Sequence, residues 1–175
     1  AEFDYVVGEA GEAYPDLSRF TRRILFVKPD YIVIHDTLNS DKPRKFEWWL
    51  HAIDEMKLED GSARIVRGNA ACTVKWLVPE KLGFAQTDKF DPPPRQRAAL
   101  TEHHVTATTP TPTKEMTFVT VIRPHRSADT VEFKAVVESI KGGHRVRLDD
   151  AVVIELVGDR TTATRGKAKF DSARR

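Results

Sequence analysis

Three groups of side chains have the types to do chemistry: His35-Asp36 with His51 after it, the adjacent His103-His104, and Trp48, Trp49 and Trp76. Histidine titrates near neutrality and ligates metals through a neutral ring nitrogen, so a His with an acid is a starting set for proton transfer or metal binding. Residues 31–38 and 44–51 read as strands, and successive side chains of a strand point to opposite faces. His35 and Asp36 therefore cannot form a site as a neighbouring pair. Asp36 and His51 sit at the ends of neighbouring strands and could meet. A catalytic zinc takes three protein ligands, and no third stands beside them in the sequence. The plainer reading is a turn-capping acid, with a histidine bonded to it or to backbone.

The same alternation separates the rings of His103 and His104, and no other His or carboxylate sits at matching spacing. A solvated edge strand accounts for them. The tryptophans raise carbohydrate binding, because aromatic faces stack on pyranose rings. A platform needs its rings on one exposed surface, whereas Trp48 and Trp49 face opposite ways and Trp76 shares an apolar face with Val74 and Val78. Core or interface packing is the expectation for them. Arg19, Arg22 and Arg23 could grip a carboxylated sugar bidentately, and a charged sheet edge explains them equally well. Tyr5, Tyr14 and Tyr31 have no evident base beside them. Cys72, among Val74 and Trp76, reads as an inert buried thiol. There is no P-loop, no GxGxxG, no nucleophile elbow and no HExxH.

These residues ride on short strands. Residues 19–28, 31–38 and 44–51 read as three strands in a row, with a tight turn at Pro29-Asp30 and a polar loop over 39–43. Asp60-Gly61 suits a type I′ hairpin between 56–58 and 63–66. Residues 72–78 carry an apolar face of Cys72, Val74, Trp76 and Val78. Residues 79–97, which include Asp91-Pro-Pro-Pro94, read as an extended surface loop. Residues 100–108 read as a Thr-rich edge strand and 116–123 as a central one, apolar on both faces. Residues 131–140, 144–148 and 151–157 complete a last meander around Gly142-Gly143 and Asp149-Asp150. No apolar spacing of helical period persists over three turns. The fold class expected is all-β, an antiparallel two-sheet sandwich of about a dozen strands with no long helix.

Composition bounds the rest. The chain has 175 residues, 40% hydrophobic and 31% charged, enough for one domain with a core. A formal charge of +2, from 28 basic and 26 acidic residues, argues for neither nucleic acid nor an anionic membrane as partner. One cysteine excludes an internal disulfide framework and a cysteine-based zinc site, and no apolar run reaches membrane-spanning length. The first residues are already strand-like and follow no initiator Met or signal peptide, while the last are polar. The expectation is a piece of a longer protein, with residues 1–160 one β-sandwich domain and 161–175 a polar tail.

The run Phe20-Thr-Arg-Arg-Ile-Leu-Phe-Val-Lys-Pro-Asp-Tyr-Ile-Val-Ile-His-Asp36, followed by Phe46-Glu-Trp-Trp-Leu-His51, resembles the C-terminal part of heparinase II/III-like polysaccharide lyases. Asp4-Tyr-Val-Val-Gly-Glu-Ala10 and Ala13-Tyr14 fit the strand that precedes this run in such proteins. The match is specific over the first third of the chain and rests on general β character beyond Glu55.

What the resemblance implies is a sandwich domain that supports an N-terminal α/α toroid of the same parent chain. Such enzymes cleave uronic-acid polysaccharides by β-elimination: a base takes the C5 proton, an acid protonates the leaving oxygen, and polar groups neutralise the carboxylate. The family's His-x-His and His-Asn motifs do not occur here, so no catalytic residue, metal ligand or cofactor is carried over. Asp36 and His51 match pattern positions as framework or domain-contact residues. The chain alone is then expected to be inactive, its parent to act on an acidic polysaccharide, and its location to be periplasmic or secreted. The competing expectation is a stand-alone carbohydrate-binding sandwich; a small β enzyme with a metal at Asp36 and His51 is the third.

Overall fold

The computed structural model describes residues 2–91, 102–129 and 132–174. The first strands are β1 (Phe3–Glu9), β2 (Leu17–Val27), β3 (Tyr31–Arg44), β4 (Glu47–Ala52), β5 (Lys57–Glu59), β6 (Ser62–Arg67), β7 (Ala70–Val78) and β8 (Gly83–Thr87). There follow β9 (His103–Thr108), β10 (Thr113–Arg126), β11 (Ala135–Ile140), β12 (Gly143–Leu148), β13 (Val152–Val157), β14 (Arg160–Arg165) and β15 (Ala168–Asp171). The helical content of the described residues is two single-turn segments, Gly11–Ala13 and Ser172–Arg174. The all-β antiparallel class is the one that the sequence predicts.

The layering is richer than two sheets. A seven-stranded sheet runs β1-β2-β3-β10-β7-β6-β5, and a five-stranded meander β11 to β15 and a three-stranded sheet β4-β9-β8 accompany it. Period-two alternation makes the large sheet apolar on both faces. From β3 and β10, Tyr31, Val33, Val119 and Val121 join a core with Val146, Leu148, Ile154 and Leu156 of the five-stranded sheet. Ile34, Leu38 and Phe118, one residue out of phase, join the second core with Trp48, Val105 and Ala107 of the three-stranded sheet. The β10 strand lies between β3 and β7 in a sheet with a core on each side, which explains its two apolar faces.

Several local expectations change. The polar stretch 39–43 is not a loop, since Leu17 pairs with Ser40 and Arg44 with Thr113, so β3 runs straight through it. The following strand then leaves the sheet, and β4 pairs with β9 instead of returning beside β3. The β9 strand lies between β4 and β8, so it is central in its sheet rather than an edge. Within 79–97, β8 is a strand whose Phe84 ring packs 5.1 Å from Trp76 and whose Gln86 amide bonds both backbone groups of Met56. The proline run after Asp91 lies outside the described residues.

The segment expected as a polar tail is structural. Residues 160–171 form the β14–β15 hairpin, with Thr161 and Ala163 each 1% exposed. Small inward residues carry little hydropathy but suit close packing against the large sheet, where Thr161 meets Tyr5, and this hides such a strand from a hydrophobic pattern. The Asp60-Gly61 hairpin forms as predicted, with φ of 40° and 71° in the left-handed region that this turn needs.

Candidate functional site

Arg22 and Arg23 are consecutive, so β2 sends them to opposite faces of the large sheet. Arg22 lies directly across from Asp36 on β3 and holds it bidentately, Nε to Oδ1 at 2.7 Å and a terminal nitrogen to Oδ2 at 2.8 Å. Asp36 Oδ2 also accepts from Trp48 Nε1 at 2.9 Å, and the acid is 1% exposed. The Arg22 guanidinium lies 5.5 Å from the Trp48 ring, and its bond to Asp36 raises its pKa. Asp36 is thus an acceptor shared by two sheets. Its oxygens face inward and are taken, so it offers no open base.

On the other face Arg23, 4% exposed, donates to Asp159 in the turn between β13 and β14, and Arg19 donates to the same oxygen. His35 sits beside this group, 5% exposed, with Nδ1 lacking a partner among the described residues. Burial first, then the Arg23 charge, pushes its pKa down to about 4. None of the three arginines is the free carboxylate grip that the sequence left open. Tyr31 makes a similar tie by donating to Asp149, and burial together with that acceptor pushes its phenol up to about 12.

His51 does not meet Asp36. Trp48 and His51 alternate on β4, so Trp48 enters the core where Asp36 lies while His51 projects from the outer face of the three-stranded sheet. There His51 pairs directly with His104, and Trp49 with Thr106. The Trp49 ring stacks on His104 at 5.0 Å and 27°, and on His51 at 6.0 Å and 20°. Phe90 packs against His104 from another side at 5.1 Å. His104 is therefore buried, 4% exposed, rather than solvated as expected, and its Nδ1 has no partner among the described residues.

Trp49 stays 48% exposed, and its Nε1 donates to Glu47 at 3.0 Å. Glu102 lies 3.7 Å from His51. This cluster went unread in the sequence because it depends on the β4–β9 register. Trp48 and Trp76 meet edge to face at 5.7 Å in the core, as their apolar neighbours predict. Cys72 is half-buried, and burial raises its thiol pKa.

A concavity of about 840 Å³ lies elsewhere, between β5–β7 and residues 132–135. Several of its charged side chains are engaged by neighbours. Lys57 pairs with Glu59 at 2.6 Å, Lys75 donates to the Phe133 carbonyl at 2.8 Å, and Asp149 accepts from Tyr31 and Arg123. Among the described residues no three His, Cys, Asp or Glu side chains converge to hold a metal. No described helix is long and apolar enough to cross a membrane.

No family model matches the sequence, and no curated protein matches it. Solved structures do. A heparinase III gene product superposes over 98% of this chain with a TM-score of 0.64 and 15% identity, using 25% of its own length. A mutant heparan sulfate lyase HepC from Pedobacter heparinus covers 97% of this chain and 26% of its own, with a TM-score of 0.63 and 12% identity. HepC without that mutation covers 84% and 24%, with a TM-score of 0.64 and 13% identity. The chain thus has the fold of one part of these proteins and spans about a quarter of their length.

Proposed function

We propose that this chain is the C-terminal β-sandwich of a heparinase II/III-like polysaccharide lyase. In this reading it supports an N-terminal α/α toroid of the same parent chain, which holds the residues for β-elimination of an acidic polysaccharide. The observation that carries the reading is the superposition of 98% of the chain on a quarter of a heparinase III. The residues of the 20–51 run agree with it. Their arginine and aspartate take up the inter-sheet ties at Arg22 and Asp36, a structural rather than catalytic employment. The chain itself supplies no cofactor and no eliminating base, and the parent works in the periplasm or outside the cell.

The test is product formation. The purified chain is expected to release no unsaturated uronate from heparan sulfate, heparin, chondroitin or alginate. The same chain joined to the segment that precedes it in the parent should release it from one of them. Robust elimination by these 175 residues alone would overturn the proposal.

A stand-alone carbohydrate-binding sandwich is the second reading, and the half-exposed Trp49 on the outer sheet face favours it. Elimination activity in the joined protein separates the two, because a binding module lends no chemistry.

A further inference from the structure

We propose that the outer face of the three-stranded sheet is a saccharide subsite, with an uncharged pyranose ring stacking on Trp49. It rests on the lyase reading only in taking a polysaccharide as the ligand. Trp49 is stacked against His104 and His51, and at 48% exposure its remaining surface is presented to solvent. Its orientation is fixed before any ligand arrives, by the bond from Nε1 to Glu47 and by the buried imidazole beneath it. A ring already held in place loses little freedom on binding, which is what makes an exposed indole an effective platform.

The surroundings select the occupant. A protein partner usually covers about 800 Å² per side around an apolar centre. Among the described residues a single exposed indole is flanked here by Glu47, His51 and Thr106, with Glu102 beside His51, and the next exposed apolar side chain in the sequence is Ile53, just past β4. That patch fits one sugar ring with hydrogen-bonding groups at its margin. Glu47 and Glu102 accept bonds from hydroxyls and repel a carboxylate or sulfate held over the indole. The unit on Trp49 is therefore a hexose or N-acetylhexosamine, and an acidic neighbour in the polymer lies off the ring.

Tryptophan fluorescence reads the site directly, because Trp48 and Trp76 are 5% and 6% exposed and Trp49 is the accessible indole. The chain is titrated with chitohexaose, cellohexaose and a uronate hexamer while acrylamide quenching is followed. A neutral hexamer is expected to protect the indole and to bind more tightly than the uronate hexamer. Trp49→Ala should weaken binding roughly two- to tenfold, the range expected for loss of a stacked ring. Glu47→Gln with Glu102→Gln should keep the neutral ligand and improve the uronate.

Absence of binding at millimolar ligand, a Trp49→Ala variant that binds as the parent does, or a preference for the uronate would each overturn the subsite. So would complete protection of Trp49 in the joined parent protein without sugar, which would make the face a domain interface. None of these outcomes bears on elimination activity, so this proposal and the lyase reading fail separately.

Discussion

Asp36 and Trp48 belong to different sheets, and the carboxylate of one accepts the indole N–H of the other at 2.9 Å. The same carboxylate is gripped by Arg22 across the β2–β3 pair. A buried acid with three donors is satisfied, whereas without it the buried Trp48 indole N–H would lose its acceptor and the half-exposed Arg22 would turn to solvent. The sequence feature that most invites a catalytic reading is thus the fastening between the central sheet and the layer that carries Trp49.

Replacing Asp36 with Asn tests this fastening. The amide keeps one acceptor oxygen but turns an N–H₂ toward Arg22 or Trp48, where no acceptor waits. The expected loss is about 1–3 kcal/mol, as when a buried hydrogen-bonding group is left unpaired, since solvent discounts the half-exposed Arg22. Urea unfolding should show a lower midpoint at unchanged slope, and Trp48 emission should move to the red. An unchanged midpoint would mean that Asp36 does not join the layers.

His35 gives the fold a pH dependence of definite sign. Its pKa is about 4 in the folded chain against an ordinary 6.5, so between those values the unfolded chain binds the proton and the folded chain does not. Stability is then full above pH 6.5 and falls as pH drops toward 4, by up to about 3 kcal/mol. His144, also lowered by burial, contributes with the same sign. Asp149 and Asp159 are held below the usual 3.8, so their losses come at lower pH and leave the histidine window readable. Urea midpoints from pH 4.5 to 7.5 should slope upward, and His35→Leu should flatten that slope. A parallel slope in the variant would assign the dependence to other groups.

Asp159 serves the opposite layer. Its side chain is 72% exposed, yet it is the carboxylate for Arg23, whose side chain is 4% exposed. Asp159→Ala strands that guanidinium beside His35. Solvent reaches the acid and discounts the pair, so a loss of about 1–2 kcal/mol is expected. Hydrogen exchange should rise first in β13 and β14, which flank the turn. Uniform exchange across all strands would deny Asp159 a local role.

How far the sequence foretells these ties depends on how local they are. The Asp60-Gly61 turn, the opposed faces of Trp48 and Trp49, and the two apolar faces of β10 follow from residue type and alternation within one segment. The departure of β4 into another sheet does not, because nothing in Glu47 to Ala52 names its partner strand. The meeting of Trp49, His51 and His104 depends on that partner and its register, joining residues about 50 apart in the sequence. Thr161 and Ala163 illustrate another gap: they are buried by close packing rather than by hydrophobicity, so a hydropathic reading leaves them outside the domain.

The two adjacent tryptophans provide the sharpest contrast. Trp48 is 5% exposed, meets Trp76 edge to face and bonds Asp36, so Trp48→Ala removes volume, a ring contact and a donor together. The expected loss is about 3–5 kcal/mol. Trp49 lies on an open face, and Trp49→Ala gives up only its stack on the imidazoles and one exposed hydrogen bond, about 1 kcal/mol. Because the residues are neighbours, composition and helix or strand propensity are the same for both changes, and the difference isolates the side of β4 that each occupies. Equal losses in urea unfolding would mean that the outer face is packed against something as firmly as the inner one. In that case Trp49 would be a core residue and not a place for a ligand.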